Sequence, residues 1–182
     1  PLNNYDSLYT TCGKTSSFPS EICTFCLNFS DFIMQISEAV FAEKRHIMIY
    51  GIGCDLCDTA RMAKSLGGPH GSTFAARVFG PAEREALGLS EGNSSPLSAH
   101  KAASAAADFA AKEAFLKAAG TGLAGPFALC EIEAVRLESG APEYRFSGGS
   151  ARWMDEHHLR AKLSLSHDGG MALAFCILET ET

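Results

Sequence analysis

A long alanine-rich segment followed by closely spaced strand candidates limits the possible folds most strongly. Residues 100–119 are dense in Ala, Lys, Glu and Leu, a composition that predicts one long helix. Gly120 is the expected cap after it, because glycine readily adopts the left-handed conformation that ends helices. Strands are predicted at 130–137, 144–146, 161–165 and 171–178, with turns at Ser139-Gly140, Gly148-Gly149 and Asp168-Gly169-Gly170. A helix followed by clustered strands predicts an α+β domain with an antiparallel sheet.

A short apolar run at 47–52 precedes this helix and ends close to Asp55. Its Ile and Tyr residues favour a buried strand that delivers Asp55 at its end. Shorter helical segments are predicted around Arg61, at 74–79 and from Pro81. The glycines at 51 and 53 do not form a dinucleotide-binding fingerprint, because Leu56 stands where the third glycine is required.

Composition limits the number of domains and the class of partner. A chain of 182 residues with 46% hydrophobic residues can bury one ordinary core. The formal net charge of -6 gives no overall attraction to nucleic acid or to an anionic membrane, so neither partner is expected. No apolar run approaches the roughly 20 residues of a membrane span, and no export signal is recognisable. We therefore expect a cytoplasmic protein.

The first 47 residues differ from the rest in pattern. Asn, Ser, Thr and aromatic residues are scattered through 1–29 without a period. From Ser30, a plausible N-cap, the apolar spacing predicts an amphipathic helix over 31–44. We interpret 1–47 as an N-terminal extension of uncertain role and 48–182 as the functional domain.

Four of the seven cysteines form two C-x-x-C pairs, Cys23 with Cys26 and Cys54 with Cys57. This spacing is found in structural zinc sites, so a noncatalytic, zinc-stapled binding module is one hypothesis. Residues three apart on a strand face opposite sides, however, so the second pair could share a metal only at a sharp turn. Cys54 as a small buried hydrophobic residue is the simpler interpretation.

Two acid–base pairs on the predicted helix have both a structural and a functional interpretation. Asp108 with Lys112, and Glu113 with Lys117, stand four residues apart with the acid first. Such pairs are common on solvated helix faces, where each contributes about 0.3–0.5 kcal/mol. Alternatively, Asp55 and Glu113 supply two hard oxygen ligands beside the Lys117 ammonium, a combination that suits Mg²⁺ bound to a phosphate ester.

Four short fragments occur in a fixed order after residue 47. They are Met48-Ile-Tyr-Gly-Ile-Gly-Cys-Asp-Leu56, Arg77-Val-Phe79 with Glu83, Phe109-Ala-Ala-Lys-Glu-Ala-Phe-Leu-Lys-Ala-Ala-Gly-Thr-Gly122, and Leu163-Ser-Leu-Ser-His167. Together they resemble holo-[acyl-carrier-protein] synthase, the small class of 4′-phosphopantetheinyl transferase. Each fragment alone is weak, but the ordered set is specific and the resemblance covers 48–179.

The resemblance implies an α+β protomer with an antiparallel sheet packed on a long helix, and a homotrimer with active sites between subunits. It implies transfer of 4′-phosphopantetheine from coenzyme A to a serine of apo acyl carrier protein, with release of adenosine 3′,5′-bisphosphate, in support of fatty acid biosynthesis. Asp55 and Glu113 stand where the family binds Mg²⁺. Lys117 would bind the phosphates and assist the leaving group, while Glu113 is the candidate for deprotonating the serine.

Other site residues are also implied by the resemblance. The coenzyme A phosphates would lie along Gly120, Thr121 and Gly122, and the nucleotide would face Ser166 and His167. Two family arginines near the carrier-binding helix correspond to Arg61 and Arg77; the alternative for both is ordinary solvated surface.

The chain departs from the family pattern at two positions, and its acceptor has one alternative. Asp108 stands where the family often has Arg, and Gly80 replaces a common Thr, which removes a potential helix cap. The recipient could instead be a carrier domain of a polyketide or peptide synthetase. Family members typically begin at a methionine in the position of Met48, so 1–47 is expected to be an added segment or upstream sequence.

Overall fold

The computed structural model describes residues 47–89, 97–122 and 125–181, which form five helices and five strands. In chain order they are β1 (Ile47–Asp58), α1 (Thr59–Gly67), α2 (Gly71–Val78), α3 (Pro81–Leu87), α4 (Ala99–Ala119), a 3₁₀ turn (Leu129–Glu131), β2 (Ile132–Arg136), β3 (Pro142–Phe146), α5 (Gly148–Glu156), β4 (Leu159–Asp168) and β5 (Met171–Glu181). The predicted α+β class with antiparallel strands is confirmed. Within these ranges no helix is long and apolar enough to cross a membrane.

The main sheet has three antiparallel strands in the order β1-β5-β4, and α4 packs on one of its faces, here called the inner face. Two glycines of β1 make this contact very close. A Cβ added at Gly53 would lie 2.0 Å from the carbonyl oxygen of Ala114, and one at Gly51 would lie 2.0 Å from that of Ala118. The strand therefore meets the helix backbone directly, which explains why glycine occupies alternate positions here.

The core surrounds α4, whose small residues are buried on several sides of the helix. Phe115 is fully buried and is the centre of an aromatic group, with its ring centroid 4.9 Å from that of Phe146. Phe127, Tyr144 and Trp153 complete the group. The hydroxyl of Tyr144 donates to the carbonyl oxygen of Ala111 at 2.6 Å, which satisfies the one polar atom of that ring. The β2–β3 hairpin is thus fastened to the middle of α4.

The N-terminus of α3 is capped by a side chain from a distant strand. Gly80 precedes the helix and has no side chain to accept its first N–H groups, so the cap expected from the family threonine is absent. Glu133 of β2 supplies the acceptor: its Oε1 accepts from the N–H of Ala82 at 2.7 Å and more weakly from that of Glu83 at 3.4 Å. A Cβ at position 80 would lie 2.4 Å from the Glu133 carboxylate, so glycine makes room for this cap.

Replacing this remote cap is expected to destabilise the protein measurably. Glu133→Gln removes the negative charge at the positive end of α3 and should lower the free energy of unfolding by about 1 kcal/mol. Urea denaturation followed by circular dichroism measures the loss. Glu143→Gln, an exposed residue of the same hairpin, is the control and should change stability by less than about 0.5 kcal/mol. Equal stability of the two variants would contradict the capping role.

The structure differs from the sequence predictions in one helix, in several strand ends and in the burial of β1. The strand predicted to be buried and to end close to Asp55 continues to Asp58, and its apolar residues at 47–50 are exposed. The turn predicted at Gly148-Gly149 is instead the first turn of α5, whose N-terminal N–H groups are satisfied by Glu131. The strand predicted over 130–137 is shorter, because Leu129–Glu131 form a 3₁₀ turn. The amphipathic helix predicted over 31–44 and most of the loop before α4 lie outside the described residues.

Candidate active site

One strand and one helix bring three charged side chains together. Asp55 lies on the inner face of β1, where its side chain is 19% exposed, and α4 crosses this face. Lys117 of α4 donates to Oδ1 of Asp55 at 2.9 Å and to the carbonyl oxygen of Cys54 at 2.8 Å. Glu113 stands one helical turn before Lys117 on the same side of α4. We call these three residues, Asp55, Glu113 and Lys117, the Asp55 cluster.

The charges of the Asp55 cluster shift the pKa values of Glu113 and Lys117. Partial burial raises the pKa of Glu113, and the negative charge of Asp55 raises it further, while Lys117 opposes both effects. The hydrogen bond with Asp55 raises the pKa of Lys117. Two carboxylates that repel each other across a shared space, with one cation beside them, form a donor set of the kind Mg²⁺ uses together with phosphate oxygens. The residues present therefore fit a divalent cation.

The segment after α4 has the conformation that the sequence predicts. Gly120 is left-handed, with φ 73°, and its N–H donates to the carbonyl oxygen of Lys117, so it ends the helix as a glycine cap. Thr121 and Gly122 follow and are exposed. A Cβ at Gly120 or Gly122 would meet nothing within 4 Å, so this backbone is open to an approaching molecule.

The two β4 residues implied by the resemblance lie on opposite faces of the sheet. Ser166 pairs with Leu173, which is opposite Leu56 on the next strand, so Ser166 belongs to the outer face, away from α4. His167 follows on the inner side, near the exposed end of the strand. The structure of one chain therefore does not bring Ser166 to the Asp55 cluster.

The two arginines assigned to partner binding are both exposed. Arg61 belongs to α1, and its N–H donates to Oδ1 of Asp58, the N-cap of that helix. Arg77 lies in the last turn of α2 and lines an open groove of about 800 Å³ between α2 and the 3₁₀ turn. The groove is mostly apolar and includes Phe74 and Leu129. Arg77 therefore places a positive charge beside an apolar groove, although the net charge of the chain is negative.

The structural interpretation of the α4 acid–base pairs is wrong for Asp108 and Lys112. Both are buried, and they do not pair with each other. Asp108 accepts from Arg136 at 3.0 Å; burial raises its pKa to about 6, against the effect of this arginine. Lys112 is fully buried and pairs with Glu83. Burial lowers the pKa of Lys112, and the Glu83 charge opposes that effect.

A clear sequence signal for Lys112 was missed. It lies among alanines on α4, and a helix that is apolar on all sides is buried. A lysine in such a helix needs an acidic partner. That partner is Glu83, which belongs to the second family fragment, but the sequence alone does not show that the two residues form an ion pair.

The second C-x-x-C pair does not have the geometry of a shared metal site. Cys54 is exposed and Cys57 is buried, on opposite faces of the continuous strand β1. Cys54 is therefore not the buried residue that the sequence suggested. Cys23 and Cys26 lie outside the described residues.

Comparison with known families identifies the enzyme class. Residues 51–176 match the family model described as the 4′-phosphopantetheinyl transferase superfamily. The chain belongs to this superfamily. A holo-[acyl-carrier-protein] synthase from Azoarcus sp. strain BH72 is 39% identical over 133 residues, which are 73% of this chain and 99% of the relative. The resemblance found in the sequence is confirmed. The chain is an enzyme, so the hypothesis of a noncatalytic, zinc-stapled binding module is wrong.

Solved structures agree with this assignment. The holo-[acyl-carrier-protein] synthase of Neisseria meningitidis superposes with a TM-score of 0.60 at 33% identity, covering 73% of this chain and 100% of that structure. That of Bacillus anthracis, solved in complex with CoA (3′,5′-ADP), gives a TM-score of 0.57 at 29% identity, covering 74% of this chain and 99% of that structure. The predicted 4′-phosphopantetheinyl transferase fold is confirmed.

Proposed function

We propose that this enzyme transfers the 4′-phosphopantetheine group from coenzyme A to a serine of apo acyl carrier protein, with Mg²⁺ as cofactor, in support of fatty acid biosynthesis. The main support for this proposal is the Asp55 cluster, in which two carboxylates and an ammonium group lie together in a member of the transferase superfamily. A related synthase solved with coenzyme A supports the choice of donor.

The proposed reaction is a displacement at the β-phosphorus of coenzyme A. The serine oxygen forms a new bond to that phosphorus, and the bond to the bridging pyrophosphate oxygen breaks. Adenosine 3′,5′-bisphosphate leaves with the electron pair, and the serine proton passes to a base. The negative charge that develops on the phosphoryl oxygens and leaving group must be stabilised in place.

Each member of the Asp55 cluster has a proposed part in this step. Asp55 and Glu113 would hold Mg²⁺, which when bound supplies positive charge for the phosphates. Lys117 would bind the phosphates and assist the leaving group, because its side chain is 53% exposed and can be reached from outside. Glu113 is also the proposed acceptor of the serine proton.

The surrounding residues are proposed to bind the two substrates. The exposed backbone of 120–122, left-handed at its two glycines, would follow the coenzyme A phosphates, with Ser166 and His167 towards the nucleotide. Arg61 and Arg77 would receive the acidic carrier protein, with the apolar groove beside Arg77 available for its side chains.

The function is tested with purified protein, Mg²⁺, coenzyme A and apo acyl carrier protein. Mass spectrometry should show the mass of phosphopantetheine added to the carrier, and chelation of divalent cations should abolish the addition until Mg²⁺ is restored. No mass gain would refute the proposal. Faster transfer to a carrier domain from a polyketide or peptide synthetase would assign the acceptor to that class instead.

Lys117→Met should show whether this side chain binds phosphate. The substitution keeps the aliphatic stem and removes the charge, so kcat/KM should fall about 10²-fold while stability changes little at this exposed position. Steady-state kinetics with varied coenzyme A measures the effect. Lys101→Met, at the other end of α4, is the matched control and should leave kcat/KM within about twofold. Equal rates for both variants would exclude the phosphate role.

We propose that three copies of the chain assemble with the outer faces of their sheets inward. This face exposes large apolar side chains, among them Ile52, Leu56, Leu173 and Phe175, at 40–53% exposure. Strand register makes them neighbours, with Leu56 opposite Leu173 and Cys54 opposite Phe175. A monomer rarely exposes such a patch. Ser166 lies on the same face, so a site shared between subunits would bring it into use.

Phe175→Asp should separate the subunits. A carboxylate in an apolar interface costs several kcal/mol, so light scattering after size exclusion should show a monomer in place of a trimer. Transfer activity should fall with it if the sites are shared. Leu137→Asp places the same charge at an apolar residue that is 46% exposed outside this sheet, and it should remain trimeric. A wild-type monomer with full activity would contradict the proposal.

A further inference from the structure

Apart from Phe115, Leu116 and a few polar contacts, α4 packs through small residues. Its buried surface is largely alanine, including Ala105, Ala106, Ala110, Ala111, Ala114 and Ala118. Methyl groups form shallow ridges, and they interlock less than large side chains do. The glycines of β1 set how closely the helix approaches, but they offer no side chain to resist its rotation.

Lys112 ties α4 to two other elements. Its Nζ donates to Oε1 and Oε2 of Glu83 on α3, at 2.8 and 2.7 Å, and to the carbonyl oxygen of Ile132 at the start of β2. Glu83 is held in turn, because its carboxylate also accepts from the N–H groups of Gly80 and Ala134. Both side chains are fully buried. The ammonium group is thus fixed by acceptors that are themselves fixed.

Glu113 follows Lys112 on α4, so contacts that fix the rotation of the helix at Lys112 also set the direction of the Glu113 side chain. Adjacent residues on a helix are related by about 100° and 1.5 Å, and side-chain ends lie roughly 5–6 Å from the axis. A rotation of about 15° would move the Glu113 carboxylate by roughly 1.5 Å. Misplacement by about 1 Å at a reacting centre can cost about 10²-fold in rate.

Stability alone does not explain why an ion pair stands here. Replacing a buried pair with apolar residues of similar volume is often neutral or stabilising, because the pair has lost its hydration. Directional hydrogen bonds restrict the rotation of the helix more narrowly than contacts between alanines do.

We propose that Lys112 is a positioning residue, which fixes the rotation of α4 through Glu83 and the Ile132 carbonyl and so directs the Glu113 carboxylate towards Asp55. This inference rests on the proposed function of the Asp55 cluster. It assigns Lys112 no contact with substrate.

The test compares Lys112→Met with the double variant Glu83→Gln/Lys112→Met. The single variant leaves Glu83 buried without its cation and should lose stability, whereas the double variant removes both charges and should regain most of it. Mn²⁺ affinity, measured by electron paramagnetic resonance, and kcat should not recover. We expect Mn²⁺ binding about tenfold weaker and kcat about 30-fold lower, with the KM for coenzyme A within about threefold.

Two further variants keep the inference falsifiable. Glu83→Asp retains the charge pair but shortens the acceptor, so it should fold and still bind Mn²⁺ several-fold more weakly. Asp108→Asn weakens another ion pair of the same helix and should leave Mn²⁺ affinity within about twofold. Wild-type Mn²⁺ affinity and kcat in the double variant would overturn the inference, as would an Asp108→Asn defect equal to that of Lys112→Met.

Failure of the proposed function would look different. A wild-type enzyme that adds no phosphopantetheine to apo carrier refutes the function. The ranking of Mn²⁺ affinities among the variants would still measure whether Lys112 directs Glu113.

Discussion

Removing either carboxylate of the Asp55 cluster, by Asp55→Asn or Glu113→Gln, is expected to lower transfer by at least about 10³-fold. Each substitution keeps the size of the side chain and removes the charge that would hold Mg²⁺. Partial burial raises the pKa of Glu113, and the negative charge of Asp55 raises it further. Loss of one charge therefore relieves repulsion, and the melting temperature should not fall by more than a few degrees.

The measurement is the rate of phosphopantetheine addition to apo carrier protein at saturating Mg²⁺, with thermal unfolding recorded for each variant. Glu85→Gln, an exposed residue on α3, is the control and should react as the wild type does. Either active-site variant with a wild-type rate would refute the metal assignment. A variant that is inactive because it is unfolded would be recognised from its thermal transition.

Gly53→Ala is expected to destabilise the protein by about 3 kcal/mol and to lower activity further than that loss explains. The added Cβ would lie 2.0 Å from the Ala114 carbonyl oxygen and 2.6 Å from the Ala118 nitrogen. Both are backbone atoms, so no side chain can rotate away and α4 must move from β1. Because Asp55 and Glu113 lie on these two elements, the Asp55 cluster should separate.

Urea denaturation and transfer kinetics together test this expectation. Gly67→Ala is the matched control, because a Cβ there would meet nothing within 4 Å and the position does not have positive φ. It should be neutral or slightly stabilising. If Gly53→Ala also retained wild-type stability and rate, the close contact between β1 and α4 would not position the site.

Local pattern predicted the elements that carry the Asp55 cluster, but not its complete environment. The apolar run before Asp55 and the alanine-rich segment ending at Gly120 are strong short-range signals. The helix formed as expected, whereas the strand continues to Asp58 and its apolar residues at 47–50 are exposed rather than buried. Helix α5 was missed because its two leading glycines resemble a turn; the acceptor that stabilises its start, Glu131, lies 18 residues away. Local sequence does not show such a partner.

For the same reason, the spacing of charged residues along α4 could not predict which of them form ion pairs. Lys112 is four residues from Asp108, yet its partner is Glu83, 29 residues distant, and Asp108 binds Arg136, 28 residues away in the other direction. A spacing of four is equally compatible with solvent and with a core. Only tertiary packing decides between them, although the alanines around Lys112 already indicated burial.

The pairing of β1 with β5 has a consequence for synthesis of the chain. Asp55 is synthesised before β5, but its strand forms its ladder with β5, where Ala174 is the register partner. Strand pairs so distant in sequence form slowly and only once both are available. The reactive centre should therefore assemble only after β5 has been synthesised, and until then the apolar residues of β1 lack their partner strand.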